Sequence, residues 1–246
     1  MKAVGCENRG HDAASCPRFS QIAIIDSGIN PEHSHVGAVE GGLGFALNHN
    51  GQVVETTDFG DEIGHGTAIA GVVRERASRS RLYAAKIFHR DLNAPASTLL
   101  AAMRWSIDKN MKIIHLSLGT EREEHRQSLR ELCQRAYENG LVVVASARGP
   151  NDMIYPAAFD TVLGVYWNKE CDEDSLVYHP DACIEFGAYG RPRPLPGLSQ
   201  EMNFSGSSFA AAYVTARVAR LLEEDPNGGP QWVREKLIES AILNRD

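Results

Sequence analysis

Apolar residues along the chain fall into two alternating patterns. Short, nearly continuous apolar runs occur at 22–25 (IAII), 82–88 (LYAAKIF), 112–118 (KIIHLSL) and 141–147 (LVVVASA). Between them lie longer stretches in which apolar positions recur every three or four residues, the spacing of one helical face. Leu99, Met103 and Ile107 do so within STLLAAMRWSIDKN, where Ser97 or Thr98 is the expected cap. HGTAIAGVVRERA, from His65, places Ala68, Val72 and Ala77 near one face, and REEHRQSLRELCQRAYENG reads as a charged helix closed by Asn139-Gly140. Two helices follow. The first is the small-residue apolar stretch MNFSGSSFAAAYVTARVARLL; the second is GGPQWVREKLIESAIL, with Pro230 in its first turn and Val233, Leu237 and Ala241 facing inward.

Strands that are apolar throughout are those buried on both faces. Their alternation with helices predicts an α/β fold with a mainly parallel sheet and helices on both sides. The expected architecture is one doubly wound domain over residues 21–246, preceded by an N-terminal extension of residues 1–20. Neither repeats, low-complexity tracts nor linkers divide the 246 residues, a length that one such domain can occupy. Functional groups in this class gather at the carboxyl ends of the strands. That rule singles out Asp26, which closes IAIID, then Ser117, Leu118 and Gly119, residues 146–151, and the helix openings at His65 and Ser208.

Composition narrows the function classes. With 25 basic against 32 acidic residues, a net charge of −7, the chain lacks the basic excess of a nucleic-acid surface, and no such partner is expected. Its densest basic stretch, RERASRSR at 74–81, reads as a solvated helix end and loop. Apolar runs stay short of the roughly 18 residues a membrane span requires, and the first twenty residues lack a signal peptide's apolar centre. Cys6, Cys16, Cys133, Cys171 and Cys183 are odd in number, scattered, and contain no CxxC pair. Reduced thiols in a cytoplasmic setting are therefore expected, with a Cys6–Cys16 pairing left open, and no metal or cofactor. GGLGFAL, from Gly41, has glycines at the wrong spacing for a dinucleotide site and no helix after it.

Taken singly, each candidate has a plain structural reading. An Asp after a strand forms a turn, a Ser at a helix mouth caps it, and a lone His is usually structural. His65, however, stands between Gly64 and Gly66, which allow another segment to approach closely. An Asp, a His and a Ser at three element boundaries are also the groups that acyl transfer needs. The chemistry uses a nucleophile, a base to take its proton, and a carboxylate to hold the base in one tautomer.

IAIIDSGINPEH, GHGTAIAGVV and NFSGSSFAAA resemble, in this order, the signature blocks around Asp, His and Ser in the subtilisin-like serine peptidases. The resemblance continues through LYAAKIF, NMKIIHLSLGT, NGLVVVASA and YPAAFDTVLGV, and covers nearly the whole chain. It implies peptide-bond hydrolysis through an acyl-enzyme, with Ser208 as nucleophile, His65 as general base and then acid, and Asp26 orienting His65. Ser207, where the family usually has Thr, would be a structural neighbour. Ser117, Leu118 and Gly119 match the strand along which family members pair the substrate backbone, so the expected partner is a peptide or protein in extended conformation.

Departures from the family pattern shape the expectation. The family's oxyanion Asn follows its strand in an A-G-N run, but VVVASARGPND places Gly149 there and Asn151 two residues on. Either Asn151 turns in as the donor, or a backbone amide or water serves a weaker hole; one such side chain is worth roughly 10²–10³ in turnover. Ala68 replaces a second His found in many members, and Ala212 replaces the usual Pro of the nucleophile helix. The segment before LYAAK is too short for the calcium loop of secreted members. The clusters Asp58-Asp61-Glu62 and Asp172-Glu173-Asp174 read as solvated loops. Ile154, ahead of Tyr155-Pro156, would make the primary specificity pocket shallow. The residues before the first strand are too few for a folding prosegment. Together these features point to a slow, selective endopeptidase that processes a precursor peptide. The alternative is a weak or inactive pseudo-peptidase serving as a peptide-binding or assembly module.

Overall fold

The computed structural model describes residues 19–243. Its strands are β1 (Gln21–Asp26), β2 (Gly41–Leu47), β3 (Val53–Thr56), β4 (Arg81–Lys86), β5 (Ile113–Leu116), β6 (Val142–Ala147), β7 (Val162–Trp167), β8 (Leu176–Tyr178), β9 (Phe186–Ala188) and β10 (Ile242–Leu243). Its α-helices are α1 (His65–Arg76), α2 (Ala96–Asp108), α3 (Arg126–Glu138), α4 (Ser207–Glu224) and α5 (Pro230–Ser240). All the strands join one sheet, in the order β10-β8-β9-β7-β6-β5-β1-β4-β2-β3. Among the described residues, β2–β3 and β8–β9 are the antiparallel strand pairs.

The continuous apolar strands follow from burial on both faces. In β1, Ile22 and Ile24 enter one core with α1, α4 and α5, while Ala23 and Ile25 enter the other with α2 and α3. Full burial of one such isoleucine stabilises the fold by about 1.5–3 kcal/mol. From β1 the sheet extends through β4 to β2 on one side and through β5, β6 and β7 on the other. The strand order therefore reverses beside β1, which opens a crevice at the carboxyl ends of β1 and β5. Asp26 ends the first of these strands and Ser117 follows the second.

The helix α4 is the internal post of the molecule. Residues Phe209 through Ala216 are all buried, and the helix packs on α1, β5, β6, β7 and β9. Its alanines let these neighbours come close, which suits an interior packed at crystal-like density.

Several local expectations are corrected. Neither Ser97 nor Thr98 caps α2, because the extended Pro95 already occupies the N-cap and Thr98 Oγ1 donates instead to the Pro95 carbonyl at 2.7 Å. Ala241 packs on the core but lies past the end of α5. Asp61 does more than face solvent. Its Oδ1 accepts from the amides of Ile63 (3.0 Å) and Gly64 (2.8 Å), and its Oδ2 from the amide (2.8 Å) and hydroxyl (2.6 Å) of Thr67. Those bonds satisfy otherwise orphaned donors at the mouth of α1. Asp58 and Glu62 are exposed, as the sequence suggests, and each lies 3.4 Å from the ammonium of Lys86, a lysine buried in β4. Asp172, Glu173 and Asp174 are exposed, as expected, and the last two pair with Arg76. Cys133 and Cys171 are buried free thiols and Cys183 an exposed one; the Cys6–Cys16 pairing lies outside the described residues.

Candidate active site

Gly64, the N-cap residue with φ +90°, turns the chain so that α1 begins at His65. The imidazole is almost fully buried, and its Nδ1 lies 2.8 Å from Oδ1 of the fully buried Asp26. That same oxygen accepts the Ser27 amide at 2.7 Å, while Asp26 Oδ2 is buried without a partner among the described residues. Gly66 explains why these segments can meet. A Cβ there would come within 2.2 Å of the Gly28 carbonyl oxygen, and its amide donates to Ser27 Oγ at 2.9 Å. Burial pushes the pKa of His65 down, but the Asp26 charge, the hydrogen bond to it and the Asp61 charge outweigh burial and hold it above the ordinary value. With Nδ1 committed to Asp26, Nε2 is the nitrogen left for proton exchange.

Ser208 stands in the first turn of α4, after Gly206. Its hydroxyl donates to the Ser117 carbonyl at 3.4 Å. The next side chain, Phe209, has its ring 5.5 Å from that of His65, and Phe204 meets the same imidazole edge-on at 5.6 Å. The mouth of α4, where the dipole favours negative charge, therefore abuts the imidazole. Neither serine caps the helix, since Gly206 holds the N-cap position. Ser207 Oγ instead accepts the Trp167 amide at 3.1 Å and ties α4 to β7.

Ser117, Leu118 and Gly119 run on from β5 and are half-buried. Thr120 then pairs with Tyr155 through two antiparallel hydrogen bonds of 2.8 Å each. This pairing presses Ile154 onto Gly119, where a Cβ would lie 2.6 Å from Ile154 Cγ1. Beside the strand is a cavity of about 410 Å³ lined by Leu118, Gly119, Thr120, Pro95, Leu99 and Leu129. A second, of about 210 Å³, lies on the Phe204 side among His33, His35, Ala68, Arg193 and Asn203.

Gly149 and Asn151 fall in a tight turn after β6. The Asp152 amide donates to the Gly149 carbonyl at 3.3 Å, and Asp152 Oδ2 accepts the Arg148 amide (2.7 Å) and Nε (3.2 Å). Arg148 also pairs with Glu121. Asn151 is exposed in this turn, and its side chain makes no hydrogen bond among the described residues. One group is unmarked in the sequence. His115, inside KIIHLSL, is fully buried between Thr215 Oγ1 (2.9 Å from Nδ1) and Ser117 Oγ (2.7 Å from Nε2). Its only signal is a lone polar residue in an apolar run.

The chain is similar to known proteins over nearly its whole length. Over 235 residues, 90% of this chain, the sequence is 28% identical to the minor extracellular protease Epr of Bacillus subtilis (strain 168), covering 35% of that protein. It is 25% identical to a subtilisin of Bacillus pumilus, covering 98% of this chain and 89% of the other. It is also 25% identical to subtilisin E of Bacillus subtilis (strain 168), over 98% of this chain and 64% of that protein. The chain thus spans about a third of Epr and just under two thirds of subtilisin E. A crystal structure of a lanthipeptide protease has the same fold, with a TM-score of 0.68 at 20% identity over 91% of this chain and 80% of that one. The family model described as Peptidase_S8, Subtilase family, matches residues 20–246, and on that match this chain belongs to the subtilase family of serine peptidases.

Proposed function

We propose that this chain is a serine endopeptidase in which Ser208 attacks the scissile carbonyl, His65 takes and returns the proton, and Asp26 holds His65. The reading rests chiefly on the 2.8 Å His65–Asp26 hydrogen bond, made beside the helix mouth that carries Ser208. The Ser208 hydroxyl would swing from the Ser117 carbonyl to His65 Nε2, attack, and leave an oxyanion facing the start of α4. Its own backbone N–H, the helix dipole and the Asn151 amide are the proposed stabilisers. An extended substrate would pair with Ser117, Leu118 and Gly119, its side chains entering the neighbouring cavity.

Selectivity is part of the proposal. Ile154 against Gly119 narrows the space for the residue that precedes the cut, favouring small or medium side chains. A precursor peptide is the proposed substrate, a reading supported by the shared fold with a lanthipeptide protease. The free thiols favour a reducing compartment such as the cytoplasm. Fluorophosphonate labelling tests the reading: folded protein should label and Ser208→Ala should not. Folded protein that fails to label would favour the second reading, a peptide-binding pseudo-peptidase, for which Gly149 at the usual Asn position speaks.

A further inference from the structure

The ladder that holds β5 stops one residue short of the site. Leu116 is the last residue of β5 in register with β1 and β6, paired to Ile25 and Ala145. Ser117, whose carbonyl accepts the Ser208 hydroxyl, lies just beyond it. Past the ladder, a side-chain tether reaches Ser117. His115 lies two residues earlier, on the same side of the strand, and its Nε2 is 2.7 Å from Ser117 Oγ. The other nitrogen reaches Thr215 of α4 at 2.9 Å. Thr215 follows Ser208 by seven residues, close to two turns, so both project from the same side of that helix.

We infer that His115 is a positioning residue for the proposed reaction, tying Ser117 to the nucleophile helix so that Ser208 and the carbonyl it leaves keep one register. The inference rests on the serine-peptidase reading. Burial, with the His65 charge adding to it and the Asp26 charge opposing it, holds the imidazole neutral down to about pH 4. A neutral ring has one donor and one acceptor nitrogen, and each hydroxyl can play either part, so one tautomer satisfies the whole Thr215–His115–Ser117 relay. An apolar replacement would leave the buried Thr215 hydroxyl and the half-buried Ser117 hydroxyl without their partner.

The test uses three variants and two readouts: the rate of fluorophosphonate labelling, and kcat and KM on a peptide ester. His115→Leu should label about tenfold more slowly, the cost of roughly one hydrogen bond, with kcat falling in step and KM moving less than about twofold. His115→Gln, whose amide reaches the position of Nε2 and so Ser117, should recover to within about threefold. His115→Asn, whose amide replaces Nδ1 and faces Thr215, should stay impaired. A His115→Leu variant that labels at the wild-type rate overturns the inference, and so does an Asn variant that recovers as well as Gln. If His115→Leu does not fold, the Gln and Asn pair decides by the same criterion. Folded wild-type protein that never labels removes the peptidase reading and this inference with it, a result unlike either of the others.

Discussion

The hydroxyl of Ser208 rests on the backbone carbonyl of Ser117, 3.4 Å away, rather than on a side chain. That carbonyl lies in the segment proposed to receive the substrate backbone. A substrate amide pairing with it would displace the Ser208 proton toward His65, so binding and activation share one acceptor.

The two adjacent serines should separate cleanly. Ser207→Ala strips the Trp167 amide of its acceptor and should cost about 1 kcal/mol, lowering Tm by a few degrees while labelling persists. Ser208→Ala gives up only a long hydrogen bond and should abolish labelling at nearly unchanged Tm. Calorimetry beside the labelling assay reads both.

The oxyanion donor can be found by exchange. Asn151→Ala should lower kcat on the order of 10²-fold, whereas an unchanged rate would remove Asn151 from the site. Gly149 has open space where a Cβ would point and a φ outside the left-handed region, so an asparagine fits there without strain. Adding Gly149→Asn to the Asn151→Ala variant should restore most of the lost turnover.

Ile154→Gly should deepen the pocket over Gly119. Esters with a large aromatic side chain before the scissile bond should gain roughly 10–100-fold in kcat/KM relative to those with alanine. Equal ratios in the two proteins would place the pocket elsewhere.

Two histidines impose opposite pH signatures. The pKa of His65 is raised, so kcat/KM should climb as pH rises through a value above 6.5. Asp26→Asn should move that limb down and cut turnover on the order of 10⁴-fold. The stability that His65 contributes is complete below 6.5 and is lost as pH rises through its raised pKa. His115 behaves in reverse. Its pKa is pushed down to about 4, so its contribution is complete above 6.5 and is lost as pH falls toward 4. That loss totals roughly 3 kcal/mol at 1.36 kcal/mol per unit. Denaturant midpoints at pH 7 and pH 4.5 should therefore differ more in wild type than in His115→Gln.

Much of this is legible in the sequence, for physical reasons. A strand buried on both faces must be apolar throughout, so 22–25 and 141–147 stand out, and so do the polar residues that end them. Asp26 and His65 read as partners across 39 residues, and the structure brings them to 2.8 Å. Groups whose meaning lies in a distant partner stay hidden. His115 acquires a role only from Thr215, 100 residues on. Lys86 sits in an apolar strand because its ammonium reaches the loop of Asp58 and Glu62. Asp61 looks like loop charge because the amides it caps extend to Thr67, six residues away.

The position of α4 along the chain sets a timetable. Asp26 and His65 belong to the first third of the sequence, but Ser208 and the helix that carries it come near the end. On the proposed reading, the first 200 residues hold the acid and the base, and the nucleophile lies beyond them. Because α4 packs on α1, β5, β6, β7 and β9 at once, on the proposed reading the step that completes this core also delivers the attacking hydroxyl. On the proposed reading, the fold is therefore complete around α4 before the attacking hydroxyl can reach His65.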